Sequence, residues 1–314
     1  MSFHIVKIFG AFACAALLGL AFYMYRDGSK RIVVSQWYAS AIEGVKVAKV
    51  LHFEEPALSR TIFQTTKSRL SMTTGAIQAH GTWRALNPDH TIFVANDDEM
   101  EQYMQTSWPQ MLKFWHALPL GVMRADIFRY AVVYTHGGVY SDIDSECLQP
   151  VRTWDELLGE APAASESAVN WLDIALENEV HFCQWTFRAT MPRHAAMRAV
   201  MDAVLQNYRR HNETIAIAEH FVHKFSGPGI WTAGLAAYLG RSGQTAGGIY
   251  AEYERNSTAR AEIRSKGVRL HGQNTFAGQL VRNLFGSQAP AGFPAETSWT
   301  RDAQRLLRAA REKK

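Results

Sequence analysis

The sequence predicts an α/β domain set behind an apolar N-terminal helix. Three observations carry that reading. An uncharged run of eighteen residues lies near the start. Two short apolar runs each stop at polar residues. A helix-periodic run then ends at a glycine pair and leads into a third strand. A chain of 314 residues that is 47% hydrophobic and 20% charged fills a substantial core. That excludes a disordered chain and a small disulfide-stapled scaffold.

The uncharged run extends from Ile8 to Tyr25. As a helix it spans roughly 27 Å, close to a hydrocarbon core of about 30 Å. Phe22, Tyr23 and Tyr25 crowd one end, where aromatic rings suit the interface. Residues 1–25 therefore read as a membrane anchor, with a cleaved signal peptide as the competing reading. Lys7 precedes the run while Arg26, Lys30 and Arg31 follow it, a flanking count that by itself places the N-terminus outside. Residues 26–57 read as a stem, 58–300 as the folded domain and 301–314 as a basic helix or tail. The net charge of +4 sits at the two ends, which leaves residues 32–300 at about −3. A mildly acidic body makes a poor phosphate-tracking groove, and nucleic acid is excluded as a partner.

Within the domain, Thr61-Ile-Phe-Gln-Thr-Thr reads as a short strand ending in polar residues. Asn87-Pro-Asp-His is a turn, and the apolar run from His90 stops at Asn96-Asp97-Asp98. A helix starts from Asp98, where acidic residues favour the positive end of the helix dipole. Strands that end in polar residues and alternate with helices place a ligand at the C-terminal edge of the sheet.

The chemistry concentrates between Gly121 and Pro150. Ile127, Tyr130, Ala131 and Tyr134 recur at helical spacing, and Asp126 and Arg129 share one face of that helix. The bland reading of this pair is a surface ion pair of little value. His136-Gly137-Gly138 ends the helix, since glycine at a C-terminal cap accepts positive φ. Val139-Tyr140-Ser141 then begins a strand expected to present Asp142 and Asp144 on one side and Ile143 on the other. Two carboxylates on one face suit a hard divalent cation that completes its shell with water and diphosphate oxygens. A lone Asp-x-Asp is weak evidence, because aspartates two apart are common on solvated strands.

The full pattern is more specific. Arg-x-Asp-x-x-Arg-Tyr at 124–130, Gly-Gly-Val-Tyr-x-Asp-x-Asp at 137–144 and Glu-Cys-Leu-x-Pro at 146–150 resemble the DxD sugar-binding region of glycosyltransferase family 32. The resemblance extends over most of 58–240. It includes Ile62-Phe-Gln-Thr, with Phe63 where the family has His, and Asn87-Pro, Asp97-Asp98, Phe182-Cys-Gln-Trp-Thr and Ser226-Gly-Pro-Gly-Ile-Trp-Thr. The last block is most like the fungal α-1,6-mannosyltransferases. Beyond residue 240 the likeness weakens. Val281-Arg-Asn-Leu-Phe-Gly-Ser and Ser298-Trp299 only approximate the family's C-terminal segment, and Asn283 stands where a His is expected.

The resemblance implies a Rossmann-like GT-A-type domain with a mixed central sheet. It implies a retaining transfer of mannose from GDP-mannose to a glycan or glycolipid hydroxyl. Asp142 and Asp144 would hold Mn²⁺ or Mg²⁺ and the donor diphosphate, and Asp126 and Arg129 would grip donor-sugar hydroxyls. Arg124 would meet a phosphate, Gln64 and Thr65 the nucleotide, and Tyr140, Gly137 and Gly138 fall in the same donor-binding block. The implied setting is a Golgi or ER membrane with the domain in the lumen. A sphingolipid mannosyltransferase, a transferase using a UDP-sugar and a non-catalytic sugar- or metal-binding relative stay open. A phosphohydrolase with Asp142 as nucleophile is disfavoured, because Gly-Gly-Val-Tyr-Ser precedes it and Glu146 occupies the position of a needed Thr or Val.

Several features also admit structural readings. Cys147 and Cys183 either pair or stay as buried thiols, and Cys14 lies in the anchor. Asn212-Glu-Thr and Asn256-Ser-Thr are glycosylation sequons. Trp185 and Trp231 suit a core better than a sugar platform. His220 and His223 lack the spacing of a zinc motif. Gly227-Pro-Gly reads as a tight turn before a helix. Arg301, Arg305 and Arg308 recur at helical spacing with Leu306 and Leu307, which suits a solvated amphipathic helix or contact with anionic lipid.

Overall fold

A computed structural model describes residues 60–159, 169–284 and 298–312. The apolar run at 8–25, the stem and most of the Gly159–Ala168 stretch lie outside these residues. The chain divides into two compact units. One comprises residues 1–47 with Arg69–Ser71 and lies almost wholly outside the described residues. The other holds the α/β body described below. Among the described residues, no helix is long and apolar enough to cross a membrane.

Among the described residues, eight strands form two sheets: β1 (Thr61–Thr65), β2 (Thr91–Ala95), β3 (Gly138–Ser141), β4 (Ser145–Cys147), β5 (Leu172–Ala175), β6 (Thr186–Ala189), β7 (Val268–His271) and β8 (Val281–Asn283). The main sheet runs β2-β1-β3-β6-β5-β7, and β4 pairs with β8. β1 is parallel to β2 and β3, and β5 is parallel to β7. β6 runs antiparallel to both β3 and β5. Five strands therefore end at one edge of the sheet, and β6 begins there. The expected α/β class with a mixed sheet is what the body adopts.

Helices of eight residues or more are α1 (Thr74–Leu86), α2 (Asp97–Ser107), α3 (Gly121–His136), α4 (Ala195–Arg210), α5 (Pro228–Leu239), α6 (Ala246–Arg255), α7 (Ser257–Ser265) and α8 (Ser298–Glu312). α2 starts one residue earlier than the acidic run suggests. Asn96 is its cap: its side chain accepts from the Glu99 amide at 2.9 Å, and Glu99 Oε2 accepts from the Asn96 amide at 2.8 Å. α3 is longer than the periodic run and stops at Gly137, whose φ of 68° only glycine adopts without strain.

Alternation along the strands sends neighbours to opposite faces. Phe63 and Tyr140 join a large cluster with α3, α4 and α5, while Ile62 and Val139 join a second with Trp83, Trp154, Phe276 and Leu280. Trp231 is fully buried, stacked at 5.1 Å on Tyr130, and Trp185 is buried in the second cluster, so both serve as core. Cys147 and Cys183 are free, buried thiols, which decides against a disulfide. α8 buries Ala303 and packs Leu306 and Leu307 on the core, with Arg301, Arg305, Arg308 and Arg311 exposed. Its apolar side is thus turned toward the body, with Leu306 and Leu307 partly buried there.

A buried ionic cluster crosses three adjacent strands. Asp173 on β5 lies level with Arg188 on β6 and Arg269 on β7. Arg188 Nε and Arg269 Nε each lie 2.7 Å from an Asp173 oxygen, and both guanidinium groups reach Asp155 Oδ1, at 2.6 and 3.0 Å. Burial works against the Asp173 charge, but Arg188, His271 and Arg269 hold its carboxyl well below the usual range. Asp173→Asn should therefore cost about 3–5 kcal/mol in urea unfolding at pH 7, because it leaves two buried cations to share the partly exposed Asp155 carboxylate. A depressed carboxyl stabilises fully above its unfolded pKa of about 4 and loses that contribution as acid protonates the folded form. The difference between wild type and variant should hold from pH 7 to about 5 and shrink below about 4. A difference that grows on acidification contradicts this assignment.

Candidate active site

The site forms where the C-terminal ends of β1 and β3 meet the N-terminal end of β6. β3 stops at Ser141, so Asp142-Ile143-Asp144 is a turn and not the continued strand expected from alternation. The Ser145 amide closes it by donating to the Asp142 carbonyl at 3.0 Å, and the Asp142 amide donates to the Trp185 carbonyl at 2.8 Å. Gln64 Nε2 reaches the same Asp142 carbonyl at 3.4 Å, and Ser145 Oγ also donates to it. A turn held by its main chain leaves both carboxylates to be aimed by side chains.

Asp142 and Asp144 are both partly exposed, the Asp142 side chain by 27%. Its Oδ1 accepts from Tyr140 Oη at 2.7 Å and lies 3.3 Å from Arg129 Nη2. Its Oδ2 meets no donor among the described residues. Burial, and after it the Asp142 carboxylate alongside, pushes the Asp144 carboxyl up to about 7. No group of three or more His, Cys, Asp or Glu side chains that could hold a metal occurs among the described residues. Two hard oxygen donors with room for outside ligands fit a divalent cation that takes the rest of its shell from diphosphate and water.

Arg129 is buried, only 3% exposed, with both Nη atoms engaged and Nε without a hydrogen-bond partner among the described residues. Its Nη2 also lies 3.1 Å from Asp126 Oδ1, its Nη1 donates to the Gln184 carbonyl at 3.1 Å, and its guanidinium sits 4.7 Å from the Tyr140 ring centre. Burial opposes its charge, but Asp142, Tyr140 and Asp126 more than offset that and keep it protonated. Burial raises the Asp126 carboxyl to about 6, against the opposing pull of Arg129 and Ser226. All residues from Asp126 to Val133 are buried, so the pair is not a surface ion pair. The sequence presents this stretch as an amphipathic face, and the structure packs it on every side.

Gln64 is buried, where its Oε1 accepts from His80 Nδ1 at 2.6 Å, and burial lowers His80 to about 4 so that its ring is neutral. Thr65 Oγ1 lies 3.0 Å from Tyr140 Oη. Both β1 residues therefore brace the turn from below. Arg124 is only half-buried, in the first turn of α3. Its Nη2 is 3.5 Å from the Leu118 carbonyl, and its Nε has no partner among the described residues.

Gly137 and Gly138 lie at the opposite end of β3 from Asp142. A Cβ on Gly137 would stand 2.8 Å from the Met191 carbonyl carbon, and one on Gly138 would stand 2.4 Å from the Thr61 carbonyl oxygen. Their close approach is to the protein's own backbone. Sequence reasoning missed Gln184 and Ser226, which bond Asp126. It also missed Glu177 beyond β5, whose carboxyl is pushed up to about 7 by burial and then by Asp142. Only the two quoted blocks around Gln184 and Ser226 pointed toward the first pair. β8 sets Asn283 opposite Ser145, and the Leu284 amide donates to the Asp144 carbonyl at 3.0 Å, so the diverged C-terminal segment does reach the turn.

Comparison with known proteins places these residues in context. The glycosyltransferase sugar-binding region containing the DxD motif matches residues 74–163, which bears out the resemblance read from the motifs. Initiation-specific α-1,6-mannosyltransferases of Candida albicans and Schizosaccharomyces pombe are 26% and 27% identical over 180 and 172 residues. Each alignment covers 50% of this chain, and 46% and 43% of the relative. Inositol phosphoceramide mannosyltransferase 2 of Schizosaccharomyces pombe is 33% identical over 95 residues, covering 30% of this chain and 27% of the relative. The chain thus spans less than half the length of the curated relatives it matches. A solved structure, the PaToxG glycosyltransferase, is 16% identical, with a TM-score of 0.43 over 67% of this chain and 79% of that one.

Gly138→Ala tests the structural reading of the glycine pair. With φ at 85° and a backbone oxygen in the path of the new methyl, it should cost about 2–4 kcal/mol in chemical denaturation. Mn²⁺ affinity of the folded fraction should stay unchanged. A stable variant with weakened Mn²⁺ binding would instead put Gly138 in the donor site.

Proposed function

We propose that this protein is a metal-dependent retaining glycosyltransferase that moves mannose from GDP-mannose to a glycan hydroxyl. The observation that carries the reading is the Asp142 carboxylate, held by two donors on Oδ1 with Oδ2 left over, in a turn inside the matched sugar-binding region. Names of the relatives favour mannose, and the Ser226–Thr232 block favours the α-1,6 enzymes over users of UDP-sugars. The sphingolipid mannosyltransferase reading differs only in the acceptor.

In this reading Asp142 and Asp144 hold Mn²⁺ or Mg²⁺, which when bound offsets negative charge on the departing diphosphate. Arg129 and the Tyr140 hydroxyl fix the plane of the Asp142 carboxylate before any ligand arrives, so little reorganisation is left to binding. Arg124, half-buried at the start of α3, offers its guanidinium to a phosphate oxygen. Asp126 and Arg129 lie buried beneath the turn and hold the Asp142 carboxylate in place. The body lies on the lumenal side of a secretory membrane, tethered by the apolar run at 8–25.

Asp142→Ala and Asp144→Ala should each abolish mannose transfer and Mn²⁺-dependent GDP binding. Asp142→Ala should also lower the unfolding midpoint, because the buried Arg129 loses one of its two carboxylate partners, whereas Asp144→Ala should leave it nearly unchanged. A screen of nucleotide sugars with Mn²⁺ and acceptor checks the donor. GDP release from GDP-mannose supports the proposal, release from a UDP-sugar reassigns the donor, and near-normal turnover in EDTA refutes the metal site. No turnover with intact metal-dependent binding marks a non-catalytic relative, and phosphate release from simple monoesters marks a phosphatase.

Asn212 and Asn256 are both exposed, so a lumenal body should show glycosidase-sensitive mobility shifts that vanish in Asn212→Gln or Asn256→Gln. Digestion of the body by protease added to intact vesicles, with no glycan on either asparagine, would place it in the cytosol.

A further inference from the structure

Within the Ser226-Gly-Pro-Gly-Ile-Trp-Thr block only Pro228 and Gly229 are even half-exposed. Ser226, Trp231 and Thr232 are buried. A Cβ on Gly229 would stand 2.8 Å from the His223 carbonyl oxygen, so the block is also pressed against its own corner. Trp231 Nε1 donates to the Cys183 carbonyl at 3.1 Å, and Thr232 Oγ1 accepts from the Phe182 amide at 2.9 Å. These bonds fasten α5 to the strand-like segment that carries Gln184. Tyr130 Oη donates to the Ser226 carbonyl at 2.9 Å and also bonds Gln184 Oε1.

Ser226 itself is wholly inaccessible, and its hydroxyl donates to Asp126 Oδ2 at 2.8 Å. Gln184 Nε2 donates to Asp126 Oδ1 at 3.2 Å, and Arg129 takes the same oxygen. Both oxygens of Asp126 are thus engaged, and the residue is 1% exposed. The expected grip of Asp126 on sugar hydroxyls is not what this geometry offers. What Asp126 does hold is Arg129, whose Nη2 bridges from Asp126 to Asp142.

We propose that Ser226 is a positioning residue for the cation site, acting through Asp126 and Arg129 on the Asp142 carboxylate, and that its block does not discriminate between nucleotide bases. This rests on the metal-dependent transferase reading above. Loss of the Ser226 hydroxyl leaves a buried carboxylate oxygen short of a donor. Asp126 then no longer fixes Arg129, and Asp142 Oδ1 loses one of its two restraints. Partners beyond the direct ligands commonly alter metal affinity by about 10- to 100-fold.

Titration calorimetry on the full chain, with Mn²⁺ in the presence of GDP or UDP, tests the proposal. Ser226→Ala should weaken Mn²⁺ binding by about 10-fold or more, leave the ratio of GDP to UDP affinity unchanged, and be partly rescued in Ser226→Cys. Asp126→Asn keeps the size of the side chain and removes the charge that holds Arg129. It should reproduce the Mn²⁺ loss, and it serves as the test should Ser226→Ala fail to fold. Wild-type Mn²⁺ affinity in folded variants overturns the relay, as does a changed GDP-to-UDP ratio. If the wild-type protein binds neither Mn²⁺ nor GDP, the transferase reading falls and the relay with it.

Discussion

Burial of the Arg129 guanidinium is the constraint on which the candidate site depends. A guanidinium cannot shed its proton in a protein, so taking it out of water demands neutralising and hydrogen-bonding partners on the spot. The structure supplies Asp126 one helical turn away, Asp142 after β3, the Gln184 carbonyl before β6 and the face of Tyr140. Four groups from three segments converge because each satisfies part of one cation. The direction of the Asp142 carboxylate follows from that convergence, and Tyr140 sharpens it by donating to the same oxygen.

Sheet topology makes the convergence possible. A wholly parallel sheet would bring only strand ends to this edge, whereas the reversed β6 also brings a strand beginning there. Its antiparallel pairing with β3 places Gln184 and Trp185 beside Asp142. The Asp173–Arg188–Arg269 cluster secures that arrangement from the far side of β6, since its three side chains meet only in one register. A slip of one residue would turn each of them to the opposite face. Replacing a buried ionic cluster with apolar side chains is often neutral for stability. Its value here lies in register, which fixes where β6 begins.

Local chemistry was legible in the chain. β1 and β2 were read from apolar runs that stop at polar residues, the end of α3 from the Gly137 cap and the tail helix from its arginine spacing. Each is decided within a few residues. The turn at Asp142 was not legible as a turn, because it is closed by the Ser145 amide and the distant Trp185 carbonyl. Sequence alternation alone continues the strand. The burial of Asp126 and Arg129 was equally hidden, since a helix with ionic residues three apart looks solvated until its neighbours are known.

By itself the sequence determined the α/β class, the paired carboxylates at 142 and 144 and the motif that a glycosyltransferase sugar-binding region matches. Those rest on residue type and short spacing, which a linear chain carries in full. Tertiary structure alone decided that Ser226 bonds Asp126 across 100 positions and Gln184 bonds it across 58. It decided that Gly137 and Gly138 serve backbone packing, and that Asp173 gathers two cations from neighbouring strands. Such contacts depend on which strands become neighbours and which way they run, and no local run of residues encodes either.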